Sequence, residues 1–387
     1  MKPKIVTGPN GSGKTALIDE LVRDATGRYP ASEVRYLAFR DTYGASDAGY
    51  YLQQRWNSCD IDDNPLARMS SGELRKYQIS KALQYNPRFL VIDSPFIGLD
   101  AEARGRLDSL LRELSEKESL ELVLVVARDQ DIPDYAGEVI RLENRPEPSS
   151  SIENACRAVA SRGGFLPDYE NAVILEDVSI RFGDRVILKP LDWTMKAGEK
   201  WALEGPNGSG KSTLLSIICA DIPQAYACNV TLFDRPRGSG ESIWDIKRHI
   251  GYVSPELHRA FKHNVPVIDV VASGLHDRQG MYVKTDESMI PECDFWLDVF
   301  GIASLRDRSF MEISSGEQRM VLLARAFVKD PELLILDEPM HGLDDLNGER
   351  VRKVTDAFCS REGKSMIMVS HYPEDFPSCI SHHLKLA

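Results

Sequence analysis

Short, almost uninterrupted apolar runs recur along the chain and end in polar residues. Phe89-Leu90-Val91-Ile92 ends in Asp93, Leu333-Leu334-Ile335-Leu336 in Asp337-Glu338, and Ser365-Met366-Ile367-Met368-Val369 in Ser370-His371. Leu120 to Val126 is a further such run, and Lys4-Ile5-Val6 and Trp201-Ala202-Leu203 are shorter ones. Continuous apolarity over the length of a strand predicts strands buried on both faces, as in a parallel sheet. Residues 33–39 and Ile250-Gly251-Tyr252-Val253 read as two more strands. Helical stretches separate them: 14–24, Ser71 to Gln84 (amphipathic, with Leu74, Ile79 and Leu83 on one side), Leu107 to Leu114, the helical pattern from Leu214, Val267 to Ser273, Cys293 to Phe300, and one opened by Ser314-Ser315-Gly316-Glu317 and running through Val328. Strands alternating with helices predict an α/β architecture.

One region breaks this rhythm. From Ala172 to Trp201 the pattern is that of alternating short strands, with turn residues at Phe182-Gly183-Asp184, which predicts an antiparallel β-subdomain. Almost nothing precedes the strand at Lys4, so this subdomain is expected only in the second half. Between Tyr50 and Trp56 lies an aromatic, polar segment with Arg55, before a loop from Asp60 to Pro65. Such a cluster can stack nucleobases, but the acidic surroundings favour a packing patch under the loop.

The two halves repeat each other. Ser70-Ser71-Gly72-Glu73 and Ser314-Ser315-Gly316-Glu317 stand 244 positions apart, as do Asp93 and Asp337, Gly98-Leu99-Asp100 and Gly342-Leu343-Asp344, and Pro133 and Pro377. A shared offset across separate features marks a tandem duplication. The expected domains are 1–143 and 172–387. They are joined by a linker over 144–171, Pro/Ser-rich at Asn144 to Ser151, glycine-containing at Gly163-Gly164 and helical between Ile152 and Ala160.

At 387 residues and 42% hydrophobic, the chain has room for two cores. Neither a transmembrane run nor a signal peptide is expected. Seven cysteines without a Cys-x-x-Cys pair suit reduced thiols in the cytoplasm rather than disulfides or zinc. A net charge of −12 without any basic block disfavours nucleic acid as a partner.

The chemistry begins at Gly205-Pro206-Asn207-Gly208-Ser209-Gly210-Lys211-Ser212-Thr213, which fits G-x-x-x-x-G-K-[ST] between a strand and a helix. Glycines let several backbone N–H groups approach one phosphate chain. Lys211 reaches the β- and γ-phosphates, Ser212 ligates Mg²⁺, and the helix N-terminus adds positive potential. Gly8-Pro9-Asn10-Gly11-Ser12-Gly13-Lys14-Thr15 repeats the loop 197 residues earlier, with Thr15 as the counterpart of Ser212. The pattern predicts a bound nucleoside triphosphate.

The order of elements resembles the ATP-binding cassette (ABC) ATPases, over nearly the whole chain and twice. It runs from phosphate loop to Ser-Ser-Gly-Glu at a helix start, apolar strand with Asp, Gly-Leu-Asp, and strand with His. The resemblance implies two tandem P-loop NTPase cassettes. Each has a mostly parallel sheet, flanking helices and a helical signature subdomain. The family's Leu-Ser-Gly-Gly-Gln signature corresponds to Met69 to Glu73 and Ile313 to Glu317. In that family two cassettes pack head to tail, and each ATP lies between the phosphate loop of one and the signature of the other. The sandwich closes within one chain or in a homodimer.

On that resemblance the two sites are unequal. One combines Lys211, Ser212, Asp337 for Mg²⁺, Glu338 for the attacking water, His371 for the γ-phosphate, Phe182 on the adenine, and Ser70 to Glu73. The other combines Lys14, Thr15 and Asp93 with Ser314 to Glu317. Ser94 and Ala127 stand where Glu338 and His371 stand in the second half. A serine is no base near neutral pH, so that site is expected to bind ATP and hydrolyse it poorly. Asp100 and Asp344 follow the Gly-Leu pairs at both sites.

Transporter cassettes carry a Gln that contacts Mg²⁺ and the coupling surface. The matching positions are Phe39 and Pro255, which cannot ligate. Gly238 to Ser254 and Thr231-Leu232-Phe233 resemble the twin-cassette, ModF-like group encoded with molybdate transport systems. The expected function is an ATPase component of a transport system. It would lie in the cytoplasm, at the inner membrane face where a permease partners it. The alternative is a soluble cassette ATPase switching another assembly. The short linker and the absence of room for coiled coils argue against the translation and repair types.

Overall fold

The structure is a computed structural model that describes residues 2–39, 71–143, 151–182, 185–261, 263–276 and 285–386. The segments at Tyr50 to Trp56 and Asp60 to Pro65, the residues Met69 and Ser70, and Gly183-Asp184 lie outside the described residues. So do the side chains of Ser71, Gly72, Glu73 and Phe182. The chain divides into two compact units, one of Met1–Pro146 with His341–Gly348, the other of Glu147–Met340 with Glu349–Ala387.

In the first unit the elements run β1 (Lys4–Thr7), α1 (Lys14–Arg28), β2 (Val34–Ala38), α2 (Ser71–Leu83), β3 (Phe89–Asp93), α3 (Ala101–Ser115), β4 (Glu121–Val126) and β5 (Val139–Arg141). They form one parallel sheet in the order β2-β3-β4-β1-β5. Alternation along each strand splits the apolar runs between two layers. Val6, Phe89, Val91, Val123 and Val125 pack with Ile18 and Ala25 of α1. Ile5, Leu90, Ile92, Leu122 and Leu124 pack with Ile79 of α2 and Leu107 and Leu111 of α3. A helix on each face is what a doubly apolar strand requires.

The second unit opens with α4 (Ile152–Ala160), followed by β6 (Asn171–Phe182), β7 (Arg185–Lys196), β8 (Lys200–Glu204), α5 (Lys211–Ile218), β9 (Asn229–Leu232), β10 (Arg235–Pro236) and α6 (Ile243–Lys247). It continues with β11 (Ile250–Val253), α7 (Pro255–Ala260), α8 (Val267–Ala272), α9 (Ile290–Val299), α10 (Ser315–Phe327), β12 (Leu333–Asp337), α11 (Asp345–Cys359), β13 (Ser365–Val369) and β14 (His382–Lys385). Its parallel sheet, β11-β12-β13-β8-β14, repeats the strand order of the first unit element for element.

The antiparallel subdomain predicted from Ala172 is a separate sheet, β10-β9-β6-β7. It is built on two strands of 12 residues each rather than several short ones, broken by register shifts such as that between Leu175 and Val178. Its inner face shares a core with Leu214, Leu215 and Ile218 of α5 and with Leu333, Ile335, Ile367 and Val369 of the parallel sheet.

The helix expected between Ile152 and Ala160 is present, capped by Ser151, with Ala155 and Val159 buried. Arg361 donates hydrogen bonds to the carbonyls of Arg162 (3.1 Å) and Gly163 (2.6 Å), fixing the glycines that follow α4 within the second unit.

Candidate functional site

In the second unit the phosphate loop leaves β8 at Gly205. A Cβ there would meet Leu386 O at 2.7 Å and Ser209 Oγ at 2.6 Å, so only glycine lets the loop turn this closely past β14. Gly8 is held in the same way in the first unit, by Leu142 O at 2.6 Å. Gly210 N-caps α5 in the left-handed conformation without any side-chain cap, which leaves the first-turn N–H groups directed out of the helix. Lys211 Nζ lies along the loop, donating to Gly205 O (2.7 Å) and Pro206 O (2.9 Å). Lys14 makes the matching bonds to Gly8 O and Pro9 O (2.8 Å). Burial lowers the pKa of Lys14, partly offset by Asp344 and Asp93.

Asp337 closes β12, and its Oδ2 accepts a hydrogen bond from Ser212 Oγ at 3.4 Å. The next residue, Glu338, adopts a left-handed backbone, φ +50°. Its N–H donates to Val369 O (3.0 Å), and its Oε1 lies 3.6 Å from His371 Nε2. The structure thus gathers Lys211, Ser212, Asp337, Glu338 and His371 at the C-terminal edge of the sheet, where α/β ligands bind. Burial, then the Asp337 and Asp375 charges, push the Glu338 carboxyl up to about 8. Burial, then the Glu256 charge, push Asp337 up to about 7. A carboxyl titrating near neutrality is matched to proton transfer in water attack.

The residues fit a nucleotide and its metal. Ser209 Oγ and Ser12 Oγ are buried in the two loops without a hydrogen-bond partner among the described residues. Ser212 and Asp337 offer hard oxygen donors to one point. No group of three or more His, Cys, Asp or Glu able to hold a metal occurs among the described residues. The Ser212 and Asp337 oxygens are of the kind Mg²⁺ takes, one or two from protein with phosphate and water completing its octahedron.

The second signature opens a helix, as its motif predicts. Ser314 Oγ accepts from Glu317 N (3.3 Å) and Glu317 Oε2 accepts from Ser314 N (2.8 Å), a capping box that starts α10. Both side chains are engaged in holding the helix end, and Ser315 and Gly316 form its first turn.

In the first unit Asp93 accepts from Tyr36 Oη (3.0 Å) and from Ser94 Oγ (2.9 Å). Asn10 N donates to Asp344 Oδ2 (2.7 Å), whose Oδ1 caps α11 through Asn347 N (2.8 Å). Asp100 caps α3 through Ala103 N (2.8 Å). Thr15 is exposed at the start of α1, and Ala127 follows β4.

Three participants escaped the sequence reading. Glu256 stands one residue after Pro255, the first residue of α7, so a carboxylate acts on Asp337 where the motif register shows only proline. Phe39, its counterpart in position, is buried, with its N–H on Asp93 O (2.9 Å). Tyr36 is the second. The third is Arg319, with Arg75 as its repeat 244 positions earlier, a signal the offset already contained.

The ABC transporter family profile matches residues 188–341. The ABC transporter ATP-binding protein ModF of Escherichia coli is 37% identical over 358 residues, covering 86% of this chain and 73% of that protein. An uncharacterized ABC transporter ATP-binding protein of Schizosaccharomyces pombe is 30% identical over 330 residues, 82% of this chain and 67% of its own length. Among solved structures, cbiO1 from Clostridium perfringens, part of the cbiONQ ABC transporter complex, aligns with TM-score 0.44 and 26% identity, over 52% of this chain and 79% of that one. Among the described residues no helix is long and apolar enough to cross a membrane. The chain belongs to the ABC transporter ATP-binding proteins, whose characteristic activity is to bind and hydrolyse ATP.

Proposed function

We propose that the chain carries one hydrolytic and one degenerate ATP site and serves as the ATPase component of a transport system. The supporting observation is the convergence of Lys211, Ser212, Asp337, Glu338 and His371 on one sheet edge, against Asp93, Ser94 and Ala127 on the other. The hydrolytic site would combine the phosphate loop of the second cassette, 172–387, with Ser70 to Glu73 of the first, 1–143. Lys14, Thr15 and Asp93 would combine with Ser314 to Glu317 around a nucleotide that is held rather than turned over.

Ser212 and Asp337 would hold Mg²⁺, which neutralises phosphate charge when bound. Lys211 leaves the Gly205 and Pro206 carbonyls to contact the β- and γ-phosphates. Glu338 Oε1 would orient the attacking water and take its proton, and His371 Nε2, 3.6 Å from it, would contact the γ-phosphate. Phe182 would stack on the adenine.

The transport reading, by resemblance molybdate-type with a membrane permease as partner at the inner face of the plasma membrane, is carried by kinship with transporter ATP-binding proteins. A second reading, a cytoplasmic ATP switch on another assembly, is favoured by Phe39 and Pro255 at the coupling positions. Glu338→Gln should hold ATP without turnover. Purified from its native cell with ATP present, that variant should carry a permease with it. Recovery with soluble assemblies and no permease would sink the transport reading.

A further inference from the structure

The turn that carries Glu338 is gripped from behind by one side chain. Arg319, on the inner face of α10, is 1% exposed. Its Nη2 donates to Asp337 O (2.8 Å) and Glu338 O (2.5 Å), and its Nε to Pro339 O (3.3 Å). These carbonyls belong to the last residue of β12 and the two that follow it. Buried carbonyls without partners are costly, and a glutamate in the left-handed region persists only when its surroundings hold it there. A guanidinium suits this task, because its planar fork presents several N–H donors in fixed directions, which an ammonium does not. In the first unit Arg75, also buried, reaches the carbonyls of Pro95 (2.6 Å) and Ile97 from the matching place on α2. The fork is thus used twice, but in the second half it holds the carbonyl of the catalytic carboxylate's own residue.

We infer that Arg319 is a positioning residue for hydrolysis: it fixes the backbone of Glu338 and so aims that carboxylate at the attacking water. It touches no substrate atom. Because Arg319 lies two residues beyond Glu317, a shift of the helix opened by the signature is passed to the Asp337–Pro339 turn through three hydrogen bonds, one of them to Glu338 itself. The inference rests on the reading of Glu338 as the catalytic carboxylate.

The test compares Arg319→Lys and Arg319→Met, each alone and combined with Glu338→Gln, by ATP affinity and by phosphate release under saturating ATP. Loss of aim costs turnover rather than binding, so Arg319→Met should lower the rate about 100-fold with ATP affinity kept within about threefold. Arg319→Lys should recover part of that rate. In the Glu338→Gln background Arg319→Met should lower the residual rate no further, since the group it aims is already gone. Affinity falling in step with rate, or an equal loss in both backgrounds, would overturn the inference and leave Arg319 a packing residue. Should Arg319→Met not fold, Arg319→Lys carries the same comparison, its rate falling at unchanged affinity only if the fork matters. A Glu338→Gln protein as active as wild type would instead overturn the reading of Glu338 itself.

Discussion

Glu338 and Ser94 occupy the same place on two copies of one turn. Both follow the aspartate that ends a buried strand, both have a left-handed backbone (φ +50° and +57°), and each donates its N–H to the neighbouring strand, at Val369 O and Val125 O. The turns match in backbone and differ in what the side chain does. Glu338 points its carboxylate toward His371, whereas Ser94 turns its hydroxyl back onto Asp93. If Glu338 is the base, as proposed, removing it alone should separate the sites. Glu338→Gln should lower steady-state phosphate release by at least about 100-fold, while Ser94→Ala should stay within about twofold of wild type. A large loss in Ser94→Ala would mean that hydrolysis depends on the first half's own turn.

The same carboxylate makes stability depend on pH. Burial holds the Glu338 carboxyl at about 8, above its ordinary 4.5, so between these values the folded chain keeps a proton that the unfolded chain has released. Stability then falls as pH rises through that window, because the native state binds more protons than the unfolded one. Asp337, pushed up to about 7, acts in the same direction. Glu338→Gln removes one of the two titrations, so its advantage over wild type in denaturant unfolding should widen as pH rises from about 5 to about 8. A constant gap would show that the Glu338 carboxyl ionises freely in the folded chain.

The sheet, the two phosphate loops and the strand-end acids are all legible in the sequence, since each is a local pattern: an apolar run, a glycine spacing, a repeat offset. What escaped depends on tertiary contacts. Arg319 lies in a helix with Glu317 and Arg325, where a charged residue reads as solvent-facing, yet its fork is wholly buried against carbonyls. Glu256 was missed because a motif register counts positions, and α7 shifts the acting side chain by one. Tyr36 alternates along β2 like any strand tyrosine, and only the register opposite Val91 brings its hydroxyl to Asp93. β5 is too short, and β14 too short and too polar, to stand out, although each closes an edge beside the strand that leads into a phosphate loop.

The close passage of β14 against the phosphate loop sets a steric limit. Gly205→Ala would place a methyl 2.7 Å from Leu386 O at a φ of +152°, and neither backbone can withdraw without breaking the pairing of β8 with β14. A cost of about 1–3 kcal/mol is expected, together with loss of ATP binding as the loop opens. Thermal unfolding and equilibrium ATP binding of the variant check both parts. Wild-type affinity would show that the loop tolerates displacement from β14.

Asp330 anchors the segment that follows α4, through Arg361. Its two oxygens accept from Arg361 Nη1 (2.6 Å) and Nη2 (2.8 Å), and Lys364 Nζ lies 3.2 Å from Oδ2. The cations have side chains only 3% and 2% exposed, and Arg361 also carries the carbonyls that follow α4. Burial pushes the Asp330 carboxyl up, but the Arg361 hydrogen bond and the two cations more than offset it, so its pKa is lowered. A depressed carboxylate contributes stability above its unfolded value of 3.8 and loses it as pH falls through the folded value. Asp330→Asn keeps the left-handed backbone, φ +53°, which asparagine tolerates, and removes only the charge. With Asp330 itself 34% exposed, the loss near neutral pH should be about 2 kcal/mol, below the ~3–5 kcal/mol of a fully buried pair. The gap to wild type should narrow on acidification below 3.8, and protease cleavage near Gly163 should rise in the variant at neutral pH. An unchanged cleavage rate with the full stability loss would mean that Arg361 holds α4 without its counter-ion.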